Sequence, residues 1–248
     1  MNISFQLYSA RNFQPYENVL GQLAELGYKQ VEGFGGVYED PVAFRAALDK
    51  NGLAMPSGHF SLDMLENDFP AAERIAATLG IGTIICPYIL PEKRPQDAAG
   101  WTAFAKRLEA ISLRCKQSGY AFAWHNHDFE FKQLDDGRTA QKIILDTAPS
   151  VGWEMDVAWV IRGGADPLEW INAYGSRIVA VHVKDIAPPG ENADEDGWAD
   201  VGHGVVPWAD LMSAIRAKTK AAVFAMEHDN PKDLARFASR SITALKAL

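Results

Sequence analysis

Short, nearly continuous apolar runs recur along the chain. Each is followed by a polar turn and then by a stretch with apolar residues three and four apart. The runs lie near residues 3–8, 30–34, 53–60, 82–88, 120–126, 152–156, 178–184 and 222–228 and predict eight strands. In IGTIICPYI (81–89) and IVAVHVKD (178–185) apolar residues fall on both faces, as in parallel strands covered on both sides. Between the runs, residues 15–26 set Val19, Leu20, Leu23 and Leu26 on one helical face and stop at Gly27. Residues 41–51, 70–79 and 101–118 read the same way. A last helix begins near Pro231, with Asn230 as its cap, and runs to the C-terminus. Eight strands alternating with helices fit a closed, eight-stranded parallel (β/α) barrel or an open doubly wound sheet. The count favours the barrel, and no Gly-x-Gly-x-x-Gly follows the first strand to mark a dinucleotide-binding sheet.

Composition narrows this only slightly. The 248 residues are 48% hydrophobic and 23% charged, as expected of one globular barrel spanning 1–248 without a linker. The net charge of −8 and the lack of any basic run argue against nucleic acid as a partner. No run is long and apolar enough to span a membrane, and no signal peptide precedes the first strand. Cys86 and Cys115 form no metal-binding or redox spacing, so the expected location is a reducing cytoplasm. The longest irregular stretch, residues 187–206, follows the seventh strand and is either a functional loop or an acidic surface loop.

The C-terminal ends of barrel strands are where active sites assemble. Here those ends carry Glu32, His59, His125 and His127, Glu154 and Asp156, His182 and Lys184, and Glu227 and His228. Charged groups closing apolar strands must be paired, bound to a metal or neutralised. Asp156, His182 and Glu227, on strands six to eight, make a hard-to-borderline ligand set suited to Mn²⁺, Mg²⁺, Co²⁺ or Zn²⁺. The fifth strand is expected to add the fourth ligand, either a histidine or Glu130. If that strand stays regular, His125 and His127 share a face. The histidine left over could accept a proton or merely orient a carboxylate. Lys184 either holds a developing oxyanion or pairs with Glu154 or Asp156. Glu32 and His59 are placed to contact substrate hydroxyls, with loop capping as the alternative for Glu32. Of seven tryptophans, Trp198 in the long loop is the candidate lid contact.

AWHNHDFEF, WEMDVAWV, VAVHVKDI, GHGVVPW and FAMEHD, in this order, resemble the sugar phosphate isomerase/epimerase family, whose fold is the xylose isomerase-like TIM barrel. The superfamily also contains endonuclease IV. The resemblance covers nearly the whole chain and implies one divalent ion, with manganese the first choice. Its ligands would be Asp156, His182 and Glu227 plus a group near the fifth strand. Better-known members have glutamate where this chain has His125, followed two residues on by a histidine that matches His127. Glu130, His125 and His127 therefore remain alternatives for the fourth ligand, with Glu130 placed in the set. The family's Gly-Glu-Gly is here Gly202-His203-Gly204, which places His203 among the substrate contacts.

The resulting expectation is a metal-dependent isomerase or epimerase acting on a sugar or keto-sugar. Proton abstraction beside a carbonyl would give an enediolate. His127, Glu130 and Glu227 are the candidate proton-transfer groups, with Lys184 assisting; Glu32, His59, His125, Trp198 and His203 are the candidate substrate contacts. Loss of a β-oxygen after the same first step would make the enzyme a keto-sugar or inosose-type dehydratase. No glycine-rich phosphate cradle or arginine cluster supports a phosphorylated substrate. A DNA-repair endonuclease and a non-catalytic sugar-binding barrel are the rivals. Self-association is open, since no interface is legible.

Overall fold

The computed structural model describes residues 2–248. Eight parallel strands close into a barrel: β1 (Ile3–Gln6), β2 (Gln30–Gly33), β3 (Ala54–His59), β4 (Thr83–Cys86), β5 (Ala121–His125), β6 (Gly152–Asp156), β7 (Ile178–Val183) and β10 (Val223–Met226). Each pairs with its sequence neighbours, and β1 pairs with β10 to seal the ring. A two-stranded antiparallel hairpin, β8 (Asp185–Ile186) with β9 (Trp198–Ala199), sits between β7 and β10 in sequence. No helix among the described residues is long and apolar enough to cross a membrane.

The expected strands all form, each within a few residues of its predicted bounds. The five expected helices form as α1 (Tyr16–Glu25), α2 (Pro41–Lys50), α4 (Phe69–Leu79), α5 (Ala98–Gln117) and α10 (Leu234–Ala247). Their starts follow from local chemistry. The Asp40, Asp68 and Asp97 carboxylates accept backbone N–H groups of the first turns of α2, α4 and α5, and Pro41 and Pro70 occupy opening positions. Gly80 ends α4 in the left-handed conformation, at φ 77°. The last helix corrects the expectation: Asp233, not Asn230, accepts the Arg236 N–H and caps it. Further helices complete the ring: α3 (Leu62–Asn67), α6 (Ala140–Thr147), α7 (Val157–Arg162), α8 (Pro167–Tyr174) and α9 (Trp208–Lys218).

Strand alternation separates two environments. Phe5, Val31, Met55, Ile84, Trp124, Trp153, Val181 and Phe224 are buried in the main apolar cluster beneath the helices. Trp124, for example, meets Phe104 of α5 edge-on, with ring centroids 5.4 Å apart. The other face lines the barrel. Small residues, Ala123, Ala180 and Ala225, lie two positions before His125, His182 and Glu227. All three alanines are buried. They leave room for the polar layer above. In-register pairing then lays that layer out laterally: Gln6 with Glu32, Glu32 with Ser57, His125 with Glu154, and Asp156 with His182.

Candidate metal centre and active site

Asp156, His182 and Glu227 converge as expected. Their ligand atoms lie within 4.8 Å of one another, and all three residues are buried. His182 Nδ1 and Asp156 Oδ2 are 3.8 Å apart. Neither atom has a hydrogen-bond partner. Two deeply buried polar atoms facing each other without hydrogen-bond partners are a costly arrangement in the metal-free protein. A divalent cation would satisfy both, so the residues present fit such an ion. Asp156 is also structural, because its Oδ1 accepts the Trp159 N–H at 2.9 Å and caps α7. That single residue links strand end, helix start and ligand set.

The other ring nitrogen of His182 is held from below. Nε2 lies 2.7 Å from Glu32 Oε1 and 3.2 Å from Glu154 Oε2. Glu32 further accepts from Gln6 Nε2 at 2.8 Å and from the Ser57 hydroxyl. It is fully buried and does not line the cavity. The expected substrate contact is therefore a carboxylate that orients a histidine, an arrangement that fixes tautomer and raises ligand basicity. His59 bridges the same carboxylates, at 2.7 Å from Glu154 and 3.3 Å from Glu32. Glu154 also faces His125 Nδ1 at 3.2 Å. His59, His125, Glu154 and His182 thus form a second compact group. Burial works against a protonated His59, but Glu154 and Glu32 more than offset it and lift its pKa to about 9. Burial and Glu32 would raise Glu154, yet the surrounding histidines bring it down to about 2.

Lys184 is fully buried. It pairs with Glu227 at 2.8 Å and with Asp229, rather than with Glu154 or Asp156. Burial disfavours its charge, but Asp229, Glu227 and Asp156 together hold it protonated. Burial and the neighbouring Asp229 raise Glu227 to about 7, against the opposing pull of Lys184. The ammonium sits 3.9 Å from the Trp198 ring centroid and 4.8 Å from that of Trp159. Trp198, only 1% exposed, does not line the cavity and serves as a wall for Lys184 and Arg162 instead of a lid.

His125 and His127 both line the cavity, with ring centroids 5.0 Å apart, although β5 ends at His125. Asn126 between them is buried, accepting from Trp153 Nε1 and Asp156 N and donating to Asp156 O. Burial, then the Lys184 charge, keeps His127 neutral. Burial and the nearby His182 do the same to His125. His127 Nδ1 is buried without a partner.

Two further expected site residues lie elsewhere. Glu130 is buried and does not line the cavity; its oxygens accept from Trp124 Nε1 at 3.2 Å and His127 N at 2.9 Å. It belongs to neither compact group and braces the turn that carries His127. His203 is exposed and does not line the cavity. The Gly202–Val206 turn around it is ordered by Asp185, whose carboxylate accepts from the N–H groups of Gly202, Gly204 and Val206. A Cβ at Gly204 would collide with that carboxylate, which explains the glycine. Asp229 was missed by sequence reasoning. It lies two residues beyond Glu227 in FAMEHD, lines the cavity and partners Lys184. His228, between them, turns away and meets Phe237 edge-on.

The cavity above these groups measures about 850 Å³. His59, His125, His127, His182, Glu227 and Asp229 form its polar side. Segments following β1 to β4 supply Tyr8, Phe34, Leu62, Tyr88, Ile89 and Leu90.

Known proteins match this architecture. The chain is 26% identical over 191 residues to the rhizopine catabolism protein MocC of Rhizobium meliloti, covering 69% of this chain and 58% of that protein. It is 23% identical over 194 residues to an inosose dehydratase of Geobacillus kaustophilus (strain HTA426), covering 68% and 62%. The matched stretches thus span about three fifths of those relatives' length. A solved sugar phosphate isomerase/epimerase from Parabacteroides distasonis ATCC 8503 superposes with a TM-score of 0.83 at 21% identity, over 99% of this chain and 93% of that one. An IOLI protein with a bound zinc atom superposes with a TM-score of 0.78 at 15% identity, over 100% and 96%. The model of the xylose isomerase-like TIM barrel matches residues 20–247. The chain belongs to the xylose isomerase-like TIM barrel family.

Proposed function

We propose that this protein is a divalent-metal-dependent enzyme that removes a proton beside the carbonyl of a keto-sugar or related polyol, and that isomerisation or epimerisation follows. The observation that carries the reading is the pair of orphaned buried atoms, Asp156 Oδ2 and His182 Nδ1, set with Glu227 beside a cavity that His125 and His127 also line. Asp156, His182 and Glu227 would hold the ion, with manganese first and magnesium, cobalt or zinc as alternatives. A divalent cation bound there supplies positive charge to a carbonyl and its adjacent hydroxyl, making the neighbouring C–H more acidic.

The chain's own groups supply the rest. His127, kept neutral and with Nδ1 free, is the base that takes the proton. Lys184, fully buried and held charged by its carboxylates, does not line the cavity; it fixes Glu227 and Asp229 and lends its positive charge from behind them to negative charge developing on the substrate oxygen. Its two tryptophan walls exclude water from that side. His59 and His125, which line the cavity, would meet substrate hydroxyls. A second reading, elimination of a β-oxygen after the same proton abstraction, is favoured by the sequence relationship to inosose dehydratase. A phosphorylated substrate is disfavoured because both arginines lining the cavity are engaged: Arg107 with Glu66, and Arg94 with Tyr88 and the Phe129 ring.

The test is solvent-deuterium wash-in across ketoses, aldoses, 3-keto sugars and inososes, with chelated protein and with Mn²⁺ restored. Exchange that appears only with metal is expected. Exchange undiminished by chelation, or absent from the whole panel, overturns the proposal. A water-loss product without isomer selects elimination.

A further inference from the structure

The cavity is divided, and only one part of it is accounted for by the proposed chemistry. Every metal-ligating and proton-transfer candidate in it except His59 stands on the β5–β10 side. The opposite wall, carried by segments after β1 to β4, sets six large apolar side chains, Tyr8, Phe34, Leu62, Tyr88, Ile89 and Leu90, beside the polar Ser61, Asp63, Glu66, Lys93 and Arg94. A volume of about 850 Å³ is near the upper end of pockets that enclose drug-sized ligands. A single sugar ring would leave much of it to water held against aromatic and aliphatic surface. Large apolar side chains stand open at this wall: Leu90 is 48% exposed and Tyr8 is 39% exposed. Most polar groups of this wall are already engaged: the Ser61 hydroxyl accepts from Met64 N, Asp63 accepts from Asn67 and Glu66 pairs with Arg107, with Lys93 standing at their edge. The Tyr88 hydroxyl accepts from Arg94 at 2.6 Å, and Arg94 also donates to the Ile89 carbonyl. A second sugar ring would find few free hydrogen-bonding groups here, whereas a flat apolar group would find edges and faces of rings.

Resting on the metal-dependent keto-sugar reading above, we propose that the substrate is a keto-sugar glycoside bearing a planar apolar aglycone, whose sugar occupies the histidine-lined side of the cavity and whose aglycone occupies the apolar wall after β1 to β4. Burying one aromatic ring there is expected to tighten binding about 10- to 100-fold over the same sugar without it.

The experiment compares dissociation constants of phenyl β-D-glucopyranoside, methyl β-D-glucopyranoside and cellobiose for the wild-type, Mn²⁺-loaded chain by calorimetry. The phenyl glycoside is expected to bind at least about tenfold tighter than either of the others. Equal affinities, no binding of the phenyl glycoside, or tighter binding of cellobiose overturns the proposal. Leu62→Asp combined with Leu90→Asp places charge in the apolar wall and should reduce the phenyl-over-methyl preference to below about threefold. An unchanged preference in a folded double variant also overturns it. Deuterium wash-in with 3-keto derivatives of the phenyl and methyl glycosides separates the two proposals. Exchange without aryl preference sinks this inference alone, and aryl preference without exchange from any sugar sinks the reaction alone.

Discussion

Glu32→Gln isolates what a buried carboxylate does at a distance from the substrate. Glu32 lies 2.7 Å from His182 Nε2, and the opposite ring nitrogen, Nδ1, faces Asp156. The substitution keeps size and one acceptor oxygen but removes a charge buried within hydrogen-bond reach of two histidines. Carboxylates that orient a ligating histidine in this way are worth about 10- to 100-fold in metal affinity, or about 1.4–2.8 kcal/mol. The upper half of that range is expected here, because no water reaches Glu32 to replace the lost charge. The assay is metal competition against a chromophoric chelator, followed by kinetics at saturating Mn²⁺. The variant should bind the ion at least about tenfold more weakly, with KM for the sugar little changed once metal saturates. Unaltered metal affinity with a raised KM would refute the reasoning and return Glu32 to a direct substrate contact.

Asp156→Ala should lose metal and activity together and, by uncapping α7, cost about 1 kcal/mol in the metal-free protein; Asp156→Asn should lose metal affinity while keeping the cap, as urea unfolding of the two apo variants would reveal. His127→Gln should retain the ion by elemental analysis yet lose about 10²- to 10⁴-fold in deuterium exchange; equal exchange would assign the base elsewhere. The metal-free protein should lose stability as pH rises from about 6.5 to about 9. His59 is protonated more strongly folded than unfolded, so its contribution is complete below about 6.5 and gone above about 9. That window of about 2.5 units corresponds to at most about 3.4 kcal/mol, and His59→Gln should make the urea midpoint fall less steeply across it, the remaining slope coming from His182, Glu130 and Glu227, whose pKa values are raised as well.

The strand rhythm located the eight strands and the polar residues at their ends and favoured a barrel over an open sheet, because alternation and continuous apolar runs are local properties that survive any packing; closure itself is set by the pairing of β1 with β10. Five helices were legible for the same reason; helices of six to eight residues, such as α3 and α7, are too short for a periodic signal to stand out. Asp156, His182 and Glu227 could be grouped before any coordinates because ring closure must bring neighbouring strand ends together. What each polar residue does was decided only in three dimensions. Glu32 and Lys184 look equally exposed to substrate when read as strand ends. Register instead sets Glu32 below His182, and Asp229 draws Lys184 toward Glu227. Glu130 and His203 left the expected site because single turns, closed by the His127 N–H and by the Asp185 carboxylate, determine where their side chains point. The division of the cavity into a polar and an apolar side was invisible in the chain for a related reason. Its apolar residues come from four separate segments, and no periodicity marks residues that meet only when the barrel closes.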